Sequence, residues 1–300
     1  MSDAPQLQAD VAVVGAGGAG LYAALSAAAE GARVVLVSAT PLARTASYWA
    51  QGGIAAALAP DDSPDLHRHD TEVAGRGLVR PSAAAVLCRE AARIVADLER
   101  LGVVFDLDPD GGLALGLEGG HSKRRVVHAG GSATGRRVVR QLSALVAEDP
   151  HIHVLEQARA ATVWRLDGRC VGLVCEDGRA IAARGVVLAT GGAAALWSRT
   201  TNPPGSVGIG ALLARAAGAA IADLEHMDRA RYAGPVGWMD GAGDGEWGIA
   251  LRCGAFDADD PRRMRLFAGC GIVAGSEPEA ELAESDAKFV PMRDALTIGD

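Results

Sequence analysis

Residues 10–37 run in order through a strand, a glycine loop, a helix and a second strand. Asp10 to Val14 is a short apolar strand, and Gly15-Ala16-Gly17-Gly18-Ala19-Gly20 follows at once. Leu21 to Ala29 reads as a helix, and Arg33 to Val37 as the next strand. In a GxGxxG loop of this kind each glycine has a separate task. Gly15 permits the tight turn, Gly17 lets the backbone approach a pyrophosphate, and Gly20 lets the helix pack close to the strand. The unpaired N–H groups of the helix N-terminus then face the phosphates. The spacing predicts a dinucleotide-binding unit on a parallel sheet. The competing reading is a Gly-rich turn that only packs a helix on a sheet. The acidic ribose ligand expected about 20 residues on is replaced by Ser38, whose hydroxyl bonds a ribose less strongly than a carboxylate. The fingerprint leaves NAD and FAD both open.

The composition suits that unit and excludes several others. Hydrophobic residues make up 49% of the 300 and charged residues 22%, enough for a packed core and unlike a disordered chain. A net charge of −8 argues against nonspecific nucleic-acid binding, which needs a basic face. Cys88, Cys170, Cys175, Cys253 and Cys270 are odd in number and form no CxxC pair, so neither a disulfide framework nor a zinc site is indicated. There is no apolar signal core before the first strand and no run that approaches a membrane span. The expected location is the cytoplasm, with a small-molecule substrate and neither nucleic acid nor membrane as partner.

Further glycine-rich segments follow in a fixed order. Ala46-Ser47-Tyr48-Trp49-Ala50-Gln51-Gly52-Gly53-Ile54-Ala55 is a small, uncharged loop suited to close backbone approach to a flat ring. Glu118-Gly119-Gly120-His121-Ser122 comes next, then Arg124-Arg125, His128 and Ala133-Thr134-Gly135-Arg136 at the start of a helix reaching about Ala147. Val186 to Leu188 is a buried strand that ends in the Gly191-Gly192 turn. Pro81 to Leu101 has apolar residues at helical spacing. Residues 159–188 alternate apolar and polar around Asp167-Gly168 and Asp177-Gly178, which predicts two hairpins with type I′ turns.

The strings AQGGIAAAL and EGGHSKRRVVHAGGSATGR, in this order, resemble the L-aspartate oxidase branch of the succinate dehydrogenase and fumarate reductase flavoprotein family. The resemblance covers residues 1–225. It implies a Rossmann-like FAD-binding domain of α/β class with an inserted antiparallel sheet, and a two-electron oxidation of L-aspartate to iminoaspartate in NAD biosynthesis. By that match Gly15, Gly17, Gly20, Ser38, Ser47, Gln51, Gly52, Gly53 and Gly191 contact FAD. Glu118 recognises the substrate α-amino group, with His121 and Ser122 beside it. The pattern departs from the family at Ile209, where the family carries Asp in a Gly-Asp-Gly turn near the flavin. After Glu225 the family's His-containing substrate loop and capping domain with a catalytic Arg are replaced by His226-Met-Asp-Arg-Ala-Arg-Tyr232.

Residues 226–300 follow a different pattern. Tyr232 to Trp238 and Trp247 to Arg252 read as strands around the turn 241–245, Arg265 to Ala268 as a third strand, and Pro278 to about Leu296 as a helix. Gly269-Cys270-Gly271 offers successive N–H groups to an anion. Glu281, Glu284 and Lys288 share one face of that helix; the two carboxylates, one turn apart, either hold Mg²⁺ together with a substrate carboxylate or belong to a surface ladder with a Glu284–Lys288 pair. YAGPVGW, GDGEWGIALR and LFAGCGIVAGSEPEAELAESDAKF resemble the C-terminal end of isochorismate synthase, of the chorismate-utilising family. That resemblance implies Glu281 and Glu284 as Mg²⁺ ligands, with Arg252, Tyr232, Lys288 and the N–H groups near Gly271 around chorismate. It implies a small α+β tail.

The switch falls inside Ile221–Glu225, with no Pro/Gly-rich linker. Three readings remain: an FAD-dependent L-aspartate oxidase impaired by truncation, an isochorismate synthase-type isomerase with Mg²⁺, or a catalytically dead chimera.

Overall fold

The computed structural model describes residues 6–75, 77, 79–196 and 205–220, together with the backbone of four strands between residues 235 and 268. Among the described residues, nine strands and five α-helices precede residue 221: β1 Gln6–Val14, α1 Gly18–Ala29, β2 Val34–Val37, β3 Ile54–Ala55, α2 Pro64–Ala74, α3 Pro81–Arg100, β4 Leu115–Gly116, β5 Val126–Val127, α4 Thr134–Glu148, β6 Ile152–Leu155, β7 Ala160–Leu166, β8 Arg169–Cys175, β9 Ala180–Leu188 and α5 Ile209–Ala216. One compact unit comprises Met1–Ala55, Ala92–Leu115 and Val127–Leu224; the other contains Ala56–Ala91 and Gly116–Val126.

The first unit is built on a six-stranded sheet of order β6-β2-β1-β9-β8-β7. Its first four strands are parallel: β1 pairs with β2 from Val11↔Val34 to Val14↔Val37, and β2 with β6 from Val34↔Ile152 to Val37↔Leu155. On its other side β1 pairs with β9, Val14 opposite Leu188. The expected parallel sheet, with residues 10–14, 33–37 and 186–188 as neighbours, is therefore present. All four residues of β2 are buried, as a strand covered on both faces requires. On one face Ala12, Val14, Val35, Val37, Leu155, Leu173, Ile181 and Leu213 form a continuous core. Leu21 and Ala24 of α1 and Val138, Val139, Leu142 and Val146 of α4 are also buried, and the two helices pack together. Each such Leu or Val contributes roughly 1.5–3 kcal/mol of burial.

The inserted antiparallel strands are continuous with this sheet, because β9 serves both parts. Its first residues pair antiparallel with β8 while its whole length pairs parallel with β1. The turn between β7 and β8 is of the expected type, with Asp167 at φ 50° and Gly168 at φ 77°. The second differs. Between Cys175 and Arg179 only Gly178 has positive φ, at 87°, and the Gly178 N–H bonds the Cys175 carbonyl at 3.0 Å. This is a three-residue connection with glycine in the left-handed position. A matching Asp-Gly pair does not fix loop length; strand register does.

In the second unit, α2 starts at the N-cap Ser63, whose hydroxyl accepts the Leu66 N–H at 3.2 Å, and Pro64 fills the first helical position. Pro81–Ala91 of α3 belongs to this unit and the rest of the helix to the first; along α3 the buried residues Ala84, Cys88, Ala91, Val95 and Leu98 recur at helical spacing, as its sequence predicts.

In the tail, β10 Pro235–Met239 pairs antiparallel with β11 Gly245–Ile249, and β12 Arg252–Phe256 with β13 Met264–Ala268. Two hairpins thus replace the three strands expected. Arg252 opens β12 opposite Ala268 and does not end β11. The expected helix at 278–296 and the segment Gly269–Gly271 lie outside the described residues.

Candidate functional site

Several of the glycines in the first unit stand where a side chain cannot. A Cβ on Gly20 would lie 1.7 Å from the Gly15 carbonyl oxygen, so this residue sets how closely α1 approaches the turn. Gly15 has φ 107°, and a Cβ there would meet the Ala189 carbonyl oxygen at 2.3 Å. The Gly15 N–H donates to the Val37 carbonyl at 2.8 Å, and the Ala189 N–H to Val14 at 2.8 Å. These bonds set the loop at the C-terminal edge of the parallel strands, where open α/β sheets bind ligands.

Gly17 is the N-cap of α1 and has no side chain with which to cap it. The cap comes from elsewhere in the chain: Ser47 Oγ accepts the Gly18 N–H at 3.1 Å. The helix N-terminus therefore holds an oxygen acceptor, the kind of atom its dipole and unpaired donors favour. Ser47 lies in a short 3-10 turn, Ala46–Trp49. That turn is pinned by α4, whose Gly135 N–H donates to the Ala50 carbonyl at 3.0 Å. A Cβ on Gly135 would stand 2.1 Å from the Ser47 carbonyl oxygen. The sequence marks Gly135 only by its place in Ala133-Thr134-Gly135-Arg136, at a helix start.

The remaining expected cofactor contacts divide by exposure. Gln51 and Gly52 are exposed and Gly53 is half-buried. A Cβ on Gly52 or on Gly191 would meet nothing within 4 Å, so the backbone there is accessible to a flat ligand. Ser38 is buried, and its hydroxyl donates to the Thr40 carbonyl at 2.6 Å, leaving its lone pairs as acceptors. Ile209 opens α5 directly after Gly208, which has φ 73°, and its side chain offers no acceptor at this turn. Near the start of α4, Asp106 accepts the N–H groups of Gly130 at 2.7 Å and Gly131 at 2.8 Å. These backbone bonds, Gly131 first, lower its carboxyl pKa.

Glu118 and His121 belong to the second unit. Glu118 is exposed, and its carbonyl accepts the His121 N–H at 3.2 Å, closing the Gly119-Gly120 turn. Behind this turn lies a buried charge cluster that the sequence did not reveal. The Arg125 side chain is fully buried; its Nε and Nη2 donate to the two carboxylate oxygens of Asp62, each at 2.9 Å. Its Nη1 donates to Asp70 Oδ2 at 2.8 Å, and that oxygen also accepts the Ser122 N–H and hydroxyl, both at 2.8 Å. Burial raises the Asp70 carboxyl pKa, but the Ser122 bonds and Arg125 outweigh it and hold the carboxyl below its ordinary value. His67 is buried and its Nδ1 has no hydrogen-bond partner. Its ring centroid lies 5.6 Å from that of His121. Burial first, then the Arg125 charge, lowers the pKa of both rings.

Among the described residues no group of three or more His, Cys, Asp or Glu side chains can hold a metal ion. Tyr232, Gly271, Glu281, Glu284 and Lys288 lie outside the described residues. No helix among the described residues is long and apolar enough to cross a membrane.

A parallel sheet whose first strand feeds a glycine loop into a helix N-terminus defines a dinucleotide-binding α/β module. Residues 10–243 match the FAD binding domain family, and the chain belongs to that family. It is similar to the L-aspartate oxidase of Nostoc sp., with 46% identity over 225 residues, 73% of this chain and 38% of that protein. It is also similar to the L-aspartate oxidase of Mesorhizobium japonicum, with 41% identity over 298 residues, 96% of this chain and 54% of that protein. The chain thus spans about half, or less, of the length of these relatives. Among solved structures, Mycobacterium smegmatis Sdh1 matches at a TM-score of 0.67 and 31% identity, over 71% of this chain and 38% of that one. Residues 209–297 match the chorismate binding enzyme family. Ile221–Glu225 falls in the stretch that both family matches cover.

Proposed function

We propose that this chain binds FAD at the glycine loop and is of the L-aspartate oxidase type, oxidising L-aspartate to iminoaspartate. The carrying observation is the oxygen of Ser47 held on the Gly18 N–H, at a helix N-terminus whose glycines leave the backbone bare. The relatives narrow the nucleotide to FAD. Bound there, the flavin would accept two electrons from the substrate and pass them to oxygen or fumarate. The chain's own part is positional. Gly15, Gly17 and the α1 N-terminus receive the pyrophosphate, and Ser47, Gln51, Gly52, Gly53 and Gly191 line the ring or its linker. The Glu118 carboxylate accepts from the α-amino group. Ile209 supplies no acceptor where the family resemblance places Asp, so flavin affinity should be reduced.

The test is a visible absorption spectrum of the purified chain, followed by peroxide release on adding L-aspartate. A flavin band with slow turnover is expected, because the chain changes pattern where the family carries its catalytic cap. A colourless protein that takes up no added FAD would reject the reading. Fast peroxide release lost in Glu118→Ala would correct the expected rate and identify the pocket.

A second reading has support from the chorismate binding match over residues 209–297. In it Glu281 and Glu284 hold Mg²⁺, while Arg252, Tyr232, Lys288 and the Gly271 N–H surround chorismate. Mg²⁺-dependent loss of chorismate, stopped by chelation, would select it. We place the boundary between the two parts within Ile221–Glu225.

A further inference from the structure

The charge cluster around Arg125 also fixes the state of a neighbouring ring. With Nε and Nη2 on Asp62 and Nη1 on Asp70, the Arg125 guanidinium is held in one plane and one orientation. In that orientation Nη1 lies 3.5 Å from His121 Nδ1. A guanidinium carries donors only. The ring atom that faces it must offer a lone pair, since an N–H there would set donor against donor. The ring proton then resides on Nε2.

We propose that Arg125 is a positioning residue that holds His121 as the neutral Nε2–H tautomer, making the ring a fixed hydrogen-bond donor to a carboxylate ligand and removing it as a proton acceptor. The ligand half of this rests on the reading of the Glu118 turn as a dicarboxylate amino-acid site; the tautomer half stands without it. Four charges among the described residues enter the balance at His121. Arg125 opposes a second positive charge, Asp70, Glu118 and Asp62 favour one, and burial disfavours it most. His67, itself buried beside Arg125, offers no compensating negative charge. Ser122, on the same Asp70 oxygen as Arg125, ties the residue after His121 to the cluster, so ring and turn are fixed together.

The experiment is a long-range ¹H–¹⁵N correlation spectrum of the full chain, labelled with ¹⁵N-histidine, recorded between about pH 5 and 8. His121 should show the Nε2–H pattern and protonate only below the ordinary histidine value. Arg125→Lys, still a donor-only cation, should keep the pattern, and Arg125→Gln should lose it. A wild-type spectrum with the proton on Nδ1, or an ordinary titration, would overturn the proposal even if Arg125→Gln fails to fold. The ligand half is read from calorimetric titration with succinate. His121→Gln keeps an N–H near the Nε2 position and should retain affinity, while His121→Leu should lose roughly tenfold or more. Equal affinity in both variants would overturn the donor role. No succinate binding by the wild type, with the Nε2–H pattern intact, would overturn the dicarboxylate site and leave the tautomer standing.

Discussion

The glycine loop and the Arg125 cluster are ordered by opposite means. At the loop the backbone itself is the material: Gly15 and Gly20 bring carbonyls and helix within distances that no side chain tolerates. At the cluster the backbone is ordinary and three charged side chains do the ordering from the interior. The first kind of site tolerates loss of a ligand, because its shape is covalent geometry and apolar packing. The second tolerates no loss of a member, because one missing charge leaves another buried and unpaired.

The largest expected effect follows from that contrast. Arg125→Ala should cost about 3–5 kcal/mol, since it strands Asp62 and Asp70 without their cation. Urea unfolding measures it, and a change below about 1 kcal/mol would mean that the cluster behaves like a surface pair. Gly15→Ala comes next, at about 2–4 kcal/mol, from a left-handed φ and the clash with the Ala189 carbonyl. Gly17→Val should hardly affect folding, because Gly17 has ordinary φ of −74° and its nearest neighbour is the movable Ser47 hydroxyl at 3.1 Å. It should still abolish flavin uptake, as the branch stands where the pyrophosphate approaches. Normal flavin content in that variant would remove the loop from the site.

The smallest effect is the pH dependence. His67 and His121 have folded pKa values below the ordinary 6.5, so the folded state binds fewer protons than the unfolded one. Their contribution is present above pH 6.5 and is lost as pH falls from there through the folded values. Asp70 and Asp106, lowered from 3.8, add a second loss at more acidic pH. In His67→Phe the first decline should shrink, and chemical unfolding at a series of pH values tests it. A decline unchanged in that variant would assign the acid sensitivity elsewhere.

The same contrast explains what could be read in advance. β1, α1, β2, α3 and the return strand β9 were legible because motif and periodicity are local. Ser63-Pro64-Asp65 carries a local helix-start signal for α2: a capping hydroxyl, Pro at the first position and an acid in the first turn. Arg125 sits in Lys123-Arg124-Arg125, a run that resembles solvated charge. Its partners Asp62 and Asp70 are 63 and 55 residues away, and no local rule pairs them. The family resemblance marks Ser47 as a cofactor contact, but its role as the cap of α1, 29 residues from Gly18, is visible only in the fold. Position alone marks Ser38 as a ribose ligand, and its bond to Thr40 is local, but the backbone bonds that fix it, to Leu155 at the end of β6 and to Ala158, come from well over a hundred residues away.

One consequence of the sheet order concerns the chain as it leaves the ribosome. β1 lies between β2, its near neighbour in sequence, and β9, which is made much later. At about 5–20 residues per second, β9 is made on the order of ten seconds or more after β1. Until then β1 is an edge strand, with its Val11–Val14 ladder unpaired on one side. The Gly15 turn also lacks the Ala189 carbonyl that it closes against. The nascent chain should therefore capture no flavin until residue 190 has emerged, and ribosome-stalled chains ending before β9 should be those bound by chaperones that recognise exposed strand.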